Sequence, residues 1–274
     1  MRISQILTKI HFCAYLIMCL LFPSHAEAAE IIIATGVNHD PPYVYGSREI
    51  SSDYPGVTID LLRVLETRIG IKFIIKKKPW KRVVNEVRNN SIDGGFHFSF
   101  KEKRSSFVAY PIPDGSLIPD PQYCISNRSY VIYRLKGQST HWNGKKIILN
   151  SEGNHLIGAI RGGSITDDIK KLGHNLYEVN TDEQLLKLLL SKRIHTFIGL
   201  ENMIDAKIKT LATEERNLIE KSLPPVIIKP YYIAFSKKFY LEHPETAWQI
   251  WKGVAQIKKS GELQKFFSKY VNKH

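Results

Sequence analysis

The sequence predicts an α/β protein of two lobes, each built on a mostly parallel sheet and joined to the other by two crossings of the chain. Three observations support this fold class. Apolar runs alternate with amphipathic stripes, the alternation occurs twice along the 274 residues, and a proline-rich segment follows each series. Because strand–helix–strand units favour parallel strands with helices packed on their faces, each series predicts one lobe.

The first series covers residues 30–98. Three apolar runs predict strands: EIIIAT at 30–35, IKFIIKK at 71–77 and SIDGGFHF at 91–98. Gly70 is expected to end the first of two intervening helices, because glycine readily takes the left-handed conformation found after a helix C-terminus. These two helices are predicted from apolar side chains at helical spacing: Leu61, Leu62, Leu65 and Ile69 in the first, and Trp80, Val83, Val84 and Val87 in the second.

The second series covers residues 128–200. Its apolar runs predict strands at 128–135, 155–160, 175–179 and 194–200. One predicted helix follows Gly163, and another begins at Thr181, where Gln184 three residues later completes the pattern of a capping box. The helix–turn–strand segments VVNEVRNNSIDGGF and LLKLLLSKRIHTFIG are similar to each other, which indicates two similar lobes.

Two proline-rich segments follow these series. YPIPDGSLIPDPQY at 110–123 and LPPVIIKPYY at 223–232 are restricted by proline to extended or turn geometry, so we interpret them as paired crossings between the lobes. A strand and two helices close the chain and are expected to pack on the first lobe. The predicted first lobe therefore comprises residues 29–118 and 226–274, and the predicted second lobe comprises residues 119–225.

The first 28 residues predict a secretory signal peptide. Arg2 and Lys9 form a basic start, residues 10–22 are almost wholly apolar, and small residues stand at Ala26 and Ala28. We expect cleavage after Ala28, with Ala26 as the alternative, and export to the periplasm of a Gram-negative cell. A lipid anchor at Cys19 and an uncleaved membrane anchor are the competing interpretations.

Charge and cysteine content narrow the possible partners and cofactors. The formal net charge is +13, or +12 without residues 1–28, and its basic residues are scattered. No Arg-rich arm, zinc finger or RNA-binding aromatic motif accompanies them, so we expect a solvated basic surface that attracts anionic ligands, and no nucleic-acid partner. Cys124 is the single cysteine after residue 28, which excludes an intrachain disulfide. We expect no metal and no cofactor.

Several segments stand in a characteristic order and spacing: DPPYVYG, PGVTIDLLRVLETRIGIKF, KPWKRVVNEVRNNSIDGGF, FKEKRSSFVAYPIP, IGAIRGGSITDDI and KKSGELQKFFSKYV. Together they resemble the periplasmic solute-binding proteins of the amino-acid-binding type, family 3, which serve ABC transporters. The resemblance implies the type II periplasmic binding fold, in which two lobes close on a small ligand. It also implies a monomer that delivers its ligand to an ABC permease.

Arg104 is the first candidate ligand-binding residue. The strand at 91–98 brings His97 and Ser99 to its carboxyl end, and ligands of open parallel sheets bind at such ends. A guanidinium presents two parallel donors that match a carboxylate, and in the resembled family the matching arginine holds the carboxylate of the ligand. The alternative is a solvated surface residue, because three charged neighbours precede Arg104.

Gly163 and Ser164 are the candidates on the facing lobe. The glycines permit a tight turn, and the free N–H groups at the start of the following helix suit an anion. An ordinary helix cap by Ser164 is the alternative, and the two roles are compatible. The expected ligand is a small solute that carries a carboxylate.

Aromatic and charged residues near the first strand are candidates for the wall of the cleft. These are Tyr43, Tyr45 and Trp80, whose alternative role is core packing, and Asp40, which stands where family members often carry a stacking aromatic. Asp40 is expected to accept a hydrogen bond from a cationic ligand.

Two positions depart from the family pattern. Lys101 replaces the usual Thr or Ser three residues before the arginine, and the acidic residue that holds an α-amino group falls at Leu200. Glu201 follows one position later, where a strand points to the opposite face, so a loop would have to turn it inward to contact the ligand. With His97 it forms the acid pair of a rival interpretation, a periplasmic cyclohexadienyl dehydratase; a ligand sensor is a further alternative.

Overall fold

The computed structural model of the protein describes residues 28–149 and 156–271. The predicted signal peptide, with its cleavage sites and Cys19, lies outside the described residues apart from Ala28. An α/β fold surrounds one continuous curled sheet, which confirms the predicted fold class.

Eleven strands are found within the described residues. They are β1 (Ala29–Gly36), β2 (Ile71–Lys78), β3 (Gly94–Ser99), β4 (Val108–Ala109), β5 (Ser126–Leu135), β6 (His141–Trp142), β7 (Ile147–Ile148), β8 (Ile157–Ile160), β9 (Leu176–Val179), β10 (Thr196–Leu200) and β11 (Ile219–Ser236). The main sheet has the order β2-β1-β3-β11-β5-β10-β8-β9, with β4 paired to β11, and β6 pairs with β7 alone.

Two parallel groups of strands make up the ends of this sheet. β1 is parallel to β2 and β3, and β8 is parallel to β9 and β10, as the two series in the sequence predict. The antiparallel strands β5 and β11 join the groups. These strands, rather than the proline-rich segments alone, make the crossings. Residues 110–123 form a loop before β5, whereas the second proline-rich segment lies inside β11, where its register shifts between Ser222 and Ile227.

Nine α-helices flank the sheet within the described part of the chain. They are α1 (Val57–Ile69), α2 (Trp80–Arg88), α3 (Ser164–Lys171), α4 (Asp182–Leu190), α5 (Glu201–Lys209), α6 (Thr213–Leu218), α7 (Lys237–Glu242), α8 (Pro244–Lys259) and α9 (Glu262–Val271). We call β1–β4 with α1, α2 and α7–α9, and the segment between β3 and β5, the first lobe. We call β8–β10 with α3–α6 the second lobe.

Local signals in the sequence act as expected at two helix ends. Gly70 takes the left-handed conformation after α1 and donates its N–H to Glu66. Thr181 caps α4, and Gln184 completes the capping box by bonding back to the Thr181 backbone. Each lobe packs its helices on its own apolar core, with Trp251 of α8 fully buried in the first lobe and Phe197 of β10 fully buried in the second.

Candidate functional site

A cavity of about 490 Å³ lies between the lobes, at the carboxyl ends of both parallel groups of strands. The first lobe lines it with residues that follow β1, β2 and β3. The second lobe lines it with the ends of β8 and β10 and the starts of α3 and α4, and the crossing strands supply the floor. Seven of the predicted site residues line the cavity: Asp40, Trp80, His97, Ser99, Arg104, Gly163 and Ser164.

Arg104 is buried at the wall of this cavity, with 5% of its surface exposed. Its guanidinium donates to the carbonyl oxygen of Ser99 at 3.2 Å and to that of Gly162 at 3.0 Å, and it lies 5.7 Å from the centre of the Trp80 ring. Both hydrogen bonds therefore go to neutral acceptors. Within the described residues Arg104 forms no ion pair, so its charge is left without a compensating carboxylate. This placement contradicts the alternative of a solvated surface residue.

The two lobes meet across the cavity. The Arg104–Gly162 bond joins them on one side, and Lys101 pairs with Asp167 of α3 at 3.0 Å. Lys101, which departs from the family pattern, is thus part of the contact between lobes. The N–H of Gly163 donates to the carbonyl of Ile160, so this amide is occupied.

Ser164 begins α3 and is buried, with its hydroxyl 3.3 Å from the hydroxyl of Tyr130. A helix leaves its first N–H groups without intrahelical partners, and the residues at this helix start, Ser164 and Ile165, line the cavity. Of the predicted anion-binding turn, the Gly163 amide is therefore already bonded within the protein, and the start of α3 remains the candidate.

Asp40 takes part in a buried network at the floor of the cavity. Its carboxylate accepts a bidentate pair of hydrogen bonds from Arg128 of β5 and a 2.8 Å bond from the amide of Asn202 in α5. Burial raises the pKa of Asp40, but the Arg128 charge and the hydrogen bonds from His97 and Arg128 outweigh it and hold that pKa well below its usual range. Asp40 already has a cationic partner in the protein, so it is not free to serve a cationic ligand in the way the sequence suggested.

His97 reaches the cavity through an irregularity of β3. Phe96 and Phe98 pair with successive residues of β11, so His97 is the extra residue of a β-bulge, and it has a positive φ of 64°. Its ring contacts Asp40 at 3.3 Å and the hydroxyl of Thr58 at 3.0 Å. Burial lowers the pKa of His97 and outweighs the opposing effect of Asp40. Both ring nitrogens thus have partners within the protein.

Of the three aromatic candidates, one lines the cavity and two pack in the core of the first lobe. Trp80 is half-buried and lines the cavity beside Arg104. Tyr43 lies behind the lining, with its ring 4.7 Å from the Arg128 guanidinium. Tyr45 was assigned to the wall incorrectly: it is stacked on Tyr270 in the core of the first lobe, because the turn before α1 directs it towards α9.

Glu201 also lies outside the cavity. It is the first residue of α5, and its carboxylate pairs with Lys221 of β11 at 2.7 Å. Leu200, one position earlier, lines the cavity instead. This is the outcome that strand alternation predicts without an inward loop. The structure therefore does not bring His97 and Glu201 together, and the acid pair of the dehydratase interpretation is not formed.

Three polar residues of the site were missed in the sequence. Arg128 and Asn202 bind Asp40 from 88 and 162 residues away, and no local pattern indicates such long-range pairs. Asp182 lines the cavity at the start of α4, where it was interpreted only as part of a helix start. A carboxylate directly after a predicted helix cap at the carboxyl end of a strand is the signal that was available.

Residues 28–149 and 156–271 contain no group of three His, Cys, Asp or Glu side chains arranged to hold a metal ion. Over the same ranges, no helix has the length and apolar character needed to cross a membrane.

Two lobes that are joined by long crossing strands and meet around a polar-edged cavity define a ligand-binding protein of the type II periplasmic binding fold. The family model for bacterial extracellular solute-binding proteins, family 3, matches residues 32–273. The chain belongs to this family, which confirms the resemblance seen in its motifs. Family members are extracellular or periplasmic binding proteins. No curated protein matched the sequence.

Solved structures of low sequence identity share the fold. A histidine kinase sensor domain with similarity to periplasmic binding proteins is 14% identical, with a TM-score of 0.68 over 89% of this chain and 97% of that one. The substrate-binding protein of an amino acid ABC transporter is 14% identical, with a TM-score of 0.65 over 89% and 100%. The GluR0 ligand-binding core from Nostoc punctiforme, in complex with L-glutamate, is 17% identical, with a TM-score of 0.62 over 88% and 98%.

Proposed function

We propose that the protein binds a small carboxylate-bearing solute, an amino acid or a related organic acid, in the cavity between its lobes, and that it delivers this solute to an ABC permease. Binding takes place without chemistry, through hinge closure of the two lobes. A ligand-binding role agrees with the family, and substrate-binding proteins of transporters are among the structures that share the fold.

The buried, uncompensated charge of Arg104 carries this proposal. Removing a guanidinium from water is costly unless an opposite charge or a full set of hydrogen bonds replaces the lost hydration. Two carbonyl oxygens meet only part of this need. A ligand carboxylate in the cavity would supply the missing charge in the bidentate geometry that a guanidinium favours.

Closure of the lobes on the ligand is expected because the two lobes contribute different residues to the site. Arg104 belongs to the first lobe, whereas Ser164 and the start of α3 belong to the second. Each lobe alone holds part of the site, so a ligand that touches both stabilises the closed arrangement over the open one. The interlobe contacts at Gly162 and Asp167 are then those of the closed form.

A thermal-shift screen tests the proposal. The mature chain is heated with amino acids, organic acids and polyamines, and a carboxylate-bearing compound is expected to raise the melting temperature progressively with its concentration. A ligand at 100 times its Kd adds about 2.7 kcal/mol to the free energy of unfolding. The proposal fails if polyamines stabilise the protein while carboxylates do not, or if incubation with the stabilising compound gives repeated turnover to a new product in mass spectra.

A ligand sensor is the alternative function, and a histidine kinase sensor domain is among the structures that share the fold. Transport and sensing make different predictions for the genomic neighbourhood, because permease and ATPase genes beside this one would favour transport. Export is part of the proposal and rests on the apolar leader. N-terminal sequencing of the periplasmic protein should give Ala29 or Glu27, and a chain that begins at a lipid-modified Cys19 would contradict it.

A further inference from the structure

A second buried charge in the cavity lacks a partner. Asp182 is the first residue of α4, lines the cavity and is 5% exposed. Across the described residues its carboxylate forms no ion pair and no hydrogen bond. Its neighbours differ, since Glu183 pairs with Lys207 outside the cavity and Asp40 is held by Arg128 and Asn202.

The charged form of the Asp182 carboxylate is disfavoured in the empty cavity, so it does not stabilise the fold there. Burial raises the pKa of Asp182 to about 6, and Glu183 adds to this effect. A buried carboxylate without partners costs free energy in the empty protein, and a ligand cation that enters the cavity removes that cost. Leu200, at the end of β10, also lines the cavity and offers no charge to such a group.

The position of Asp182 complements that of Arg104. Arg104 lies on the first lobe and Asp182 on the second, and both line the same cavity. Among the described residues, Lys81 and Arg161 also line the cavity without an ion pair, but both are exposed to solvent. Within the described chain Arg104 is thus the buried unpaired cation of the cavity and Asp182 its buried unpaired anion. A solute with charges of both signs would pair with each of them and would link the lobes.

We propose that Asp182 binds a cationic nitrogen of the ligand, so that the solute carries an ammonium or guanidinium group together with its carboxylate. This inference rests on the proposed function and narrows its ligand class from carboxylates in general to zwitterionic compounds. It assigns Asp182 as the residue that distinguishes amino acids from plain organic acids.

Calorimetry with matched pairs of compounds tests the assignment. The probes are L-glutamate with glutarate, and L-arginine with 5-guanidinopentanoate, which lack only the α-ammonium group, and L-arginine with citrulline, which loses the guanidinium charge. In at least one pair, the wild-type protein should bind the member with the extra cation at least about 30-fold more tightly, as expected for a buried charge pair. The pair that shows the difference identifies which cation Asp182 binds.

Asp182→Asn should abolish that preference. Affinity for the cationic member should fall at least about 30-fold, while affinity for its partner compound stays within a few-fold of wild type. Glu183→Gln is the matched control, because it removes a neighbouring charge from the same helix start outside the cavity, and it should preserve the preference. A melting curve confirms that Asp182→Asn is folded.

The outcomes separate this inference from the proposed function. Unchanged discrimination in Asp182→Asn overturns the role of Asp182 while leaving carboxylate binding intact. Wild-type binding of glutarate or 5-guanidinopentanoate in preference to the amino acids overturns the inference alone. Absence of binding by every probe overturns the inference, and absence of any stabilising carboxylate in the thermal-shift screen overturns the proposed function as well.

Discussion

The pKa values of two buried carboxylates in the same cavity, Asp40 and Asp182, are shifted in opposite directions. Arg128 and His97 outweigh burial at Asp40 and lower its pKa, whereas burial dominates at Asp182 and raises its pKa to about 6. The charges around Asp182 oppose each other, since Glu183 and Asp40 raise its pKa while Lys207 and Arg128 lower it. A buried carboxylate is therefore a stabilising partner at one position and an energetic cost at the other.

Because burial of the charged Asp182 costs free energy, replacing it with asparagine should stabilise the empty protein, and the gain should depend on pH. An exposed aspartate has a pKa near 3.9, so at pH 7 the folded empty protein holds a charge that burial disfavours. Asp182→Asn should raise the free energy of unfolding by about 2 kcal/mol at pH 7. As the pH falls through 6 towards 4, Asp182 takes up a proton in the folded state and the difference should shrink.

Urea unfolding of the empty wild-type and variant proteins at pH 7, 5 and 4 measures this difference. Glu183→Gln serves as the control, because Glu183 is paired with Lys207 and its pKa is lowered. A gain that does not change with pH, or an Asp182→Asn protein less stable than wild type at pH 7, would contradict the interpretation of Asp182 as an unpaired buried charge.

At the residue scale, the sequence predicts which types of side chain form the site better than it predicts which side chains contact each other. The placement of Arg104 after a strand end was enough to bring it to the cavity. Tyr45 was misplaced because a turn aromatic has the same local pattern whether it faces a cavity or the core. Arg128 was missed because its partner Asp40 is 88 residues away, and one sequence carries no local signal for such a pair.

At the scale of elements, strand β3 shows how the sheet forms the site. Gly95 fits where β1 and β3 are close, since a Cβ there would lie 2.6 Å from the Ala34 carbonyl oxygen and 2.7 Å from the Phe98 ring. Two residues later, the bulge at His97 turns this side chain towards Asp40 and Thr58. The strand was predictable from its apolar run, but the bulge depends on the register with β11 and was not.

Substitution of Gly95 tests this close packing. Gly95→Ala should lower the free energy of unfolding by about 2–3 kcal/mol, because the obstructing Ala34 oxygen belongs to the backbone and cannot rotate away. Gly36→Ala is the matched control, since a Cβ at the end of β1 meets nothing within 4 Å, and its effect should stay within about 0.5 kcal/mol. Equal stability of the two variants in urea unfolding would show that β1 and β3 are not held this closely.

At the scale of the whole molecule, the crossing strands determine what can move. β5 and β11 run from one lobe to the other, and side-chain bonds around the cavity, such as Lys101–Asp167 and Asn202–Asp40, add contacts between the lobes. The order of first lobe, second lobe and first lobe followed from two series of strands and helices. The exact crossings did not, because the long strand β11 continues through Pro224 and Pro225.

The Lys101–Asp167 bond predicts a modest contribution to closure. Partly exposed ion pairs contribute about 0–1 kcal/mol, so Lys101→Ala should weaken ligand binding by no more than about fivefold. Lys170→Ala breaks a pair with Glu178 inside the second lobe and should leave binding unchanged. Small-angle scattering should show a smaller radius of gyration with ligand than without in all three proteins. A ligand that binds without reducing the wild-type radius would contradict hinge closure.

The central claim is that a carboxylate-bearing solute binds in this cavity through Arg104. Calorimetry of Arg104→Ala with the compound that stabilises the wild-type protein is the most direct measurement. Affinity should fall by tens to thousands of times, because loss of a buried charge pair costs about 2–5 kcal/mol, and Arg104→Lys should restore only part of it. Arg68→Ala, which breaks a surface pair with Glu262, should bind as wild type does. Wild-type affinity in a folded Arg104→Ala protein would contradict the claim.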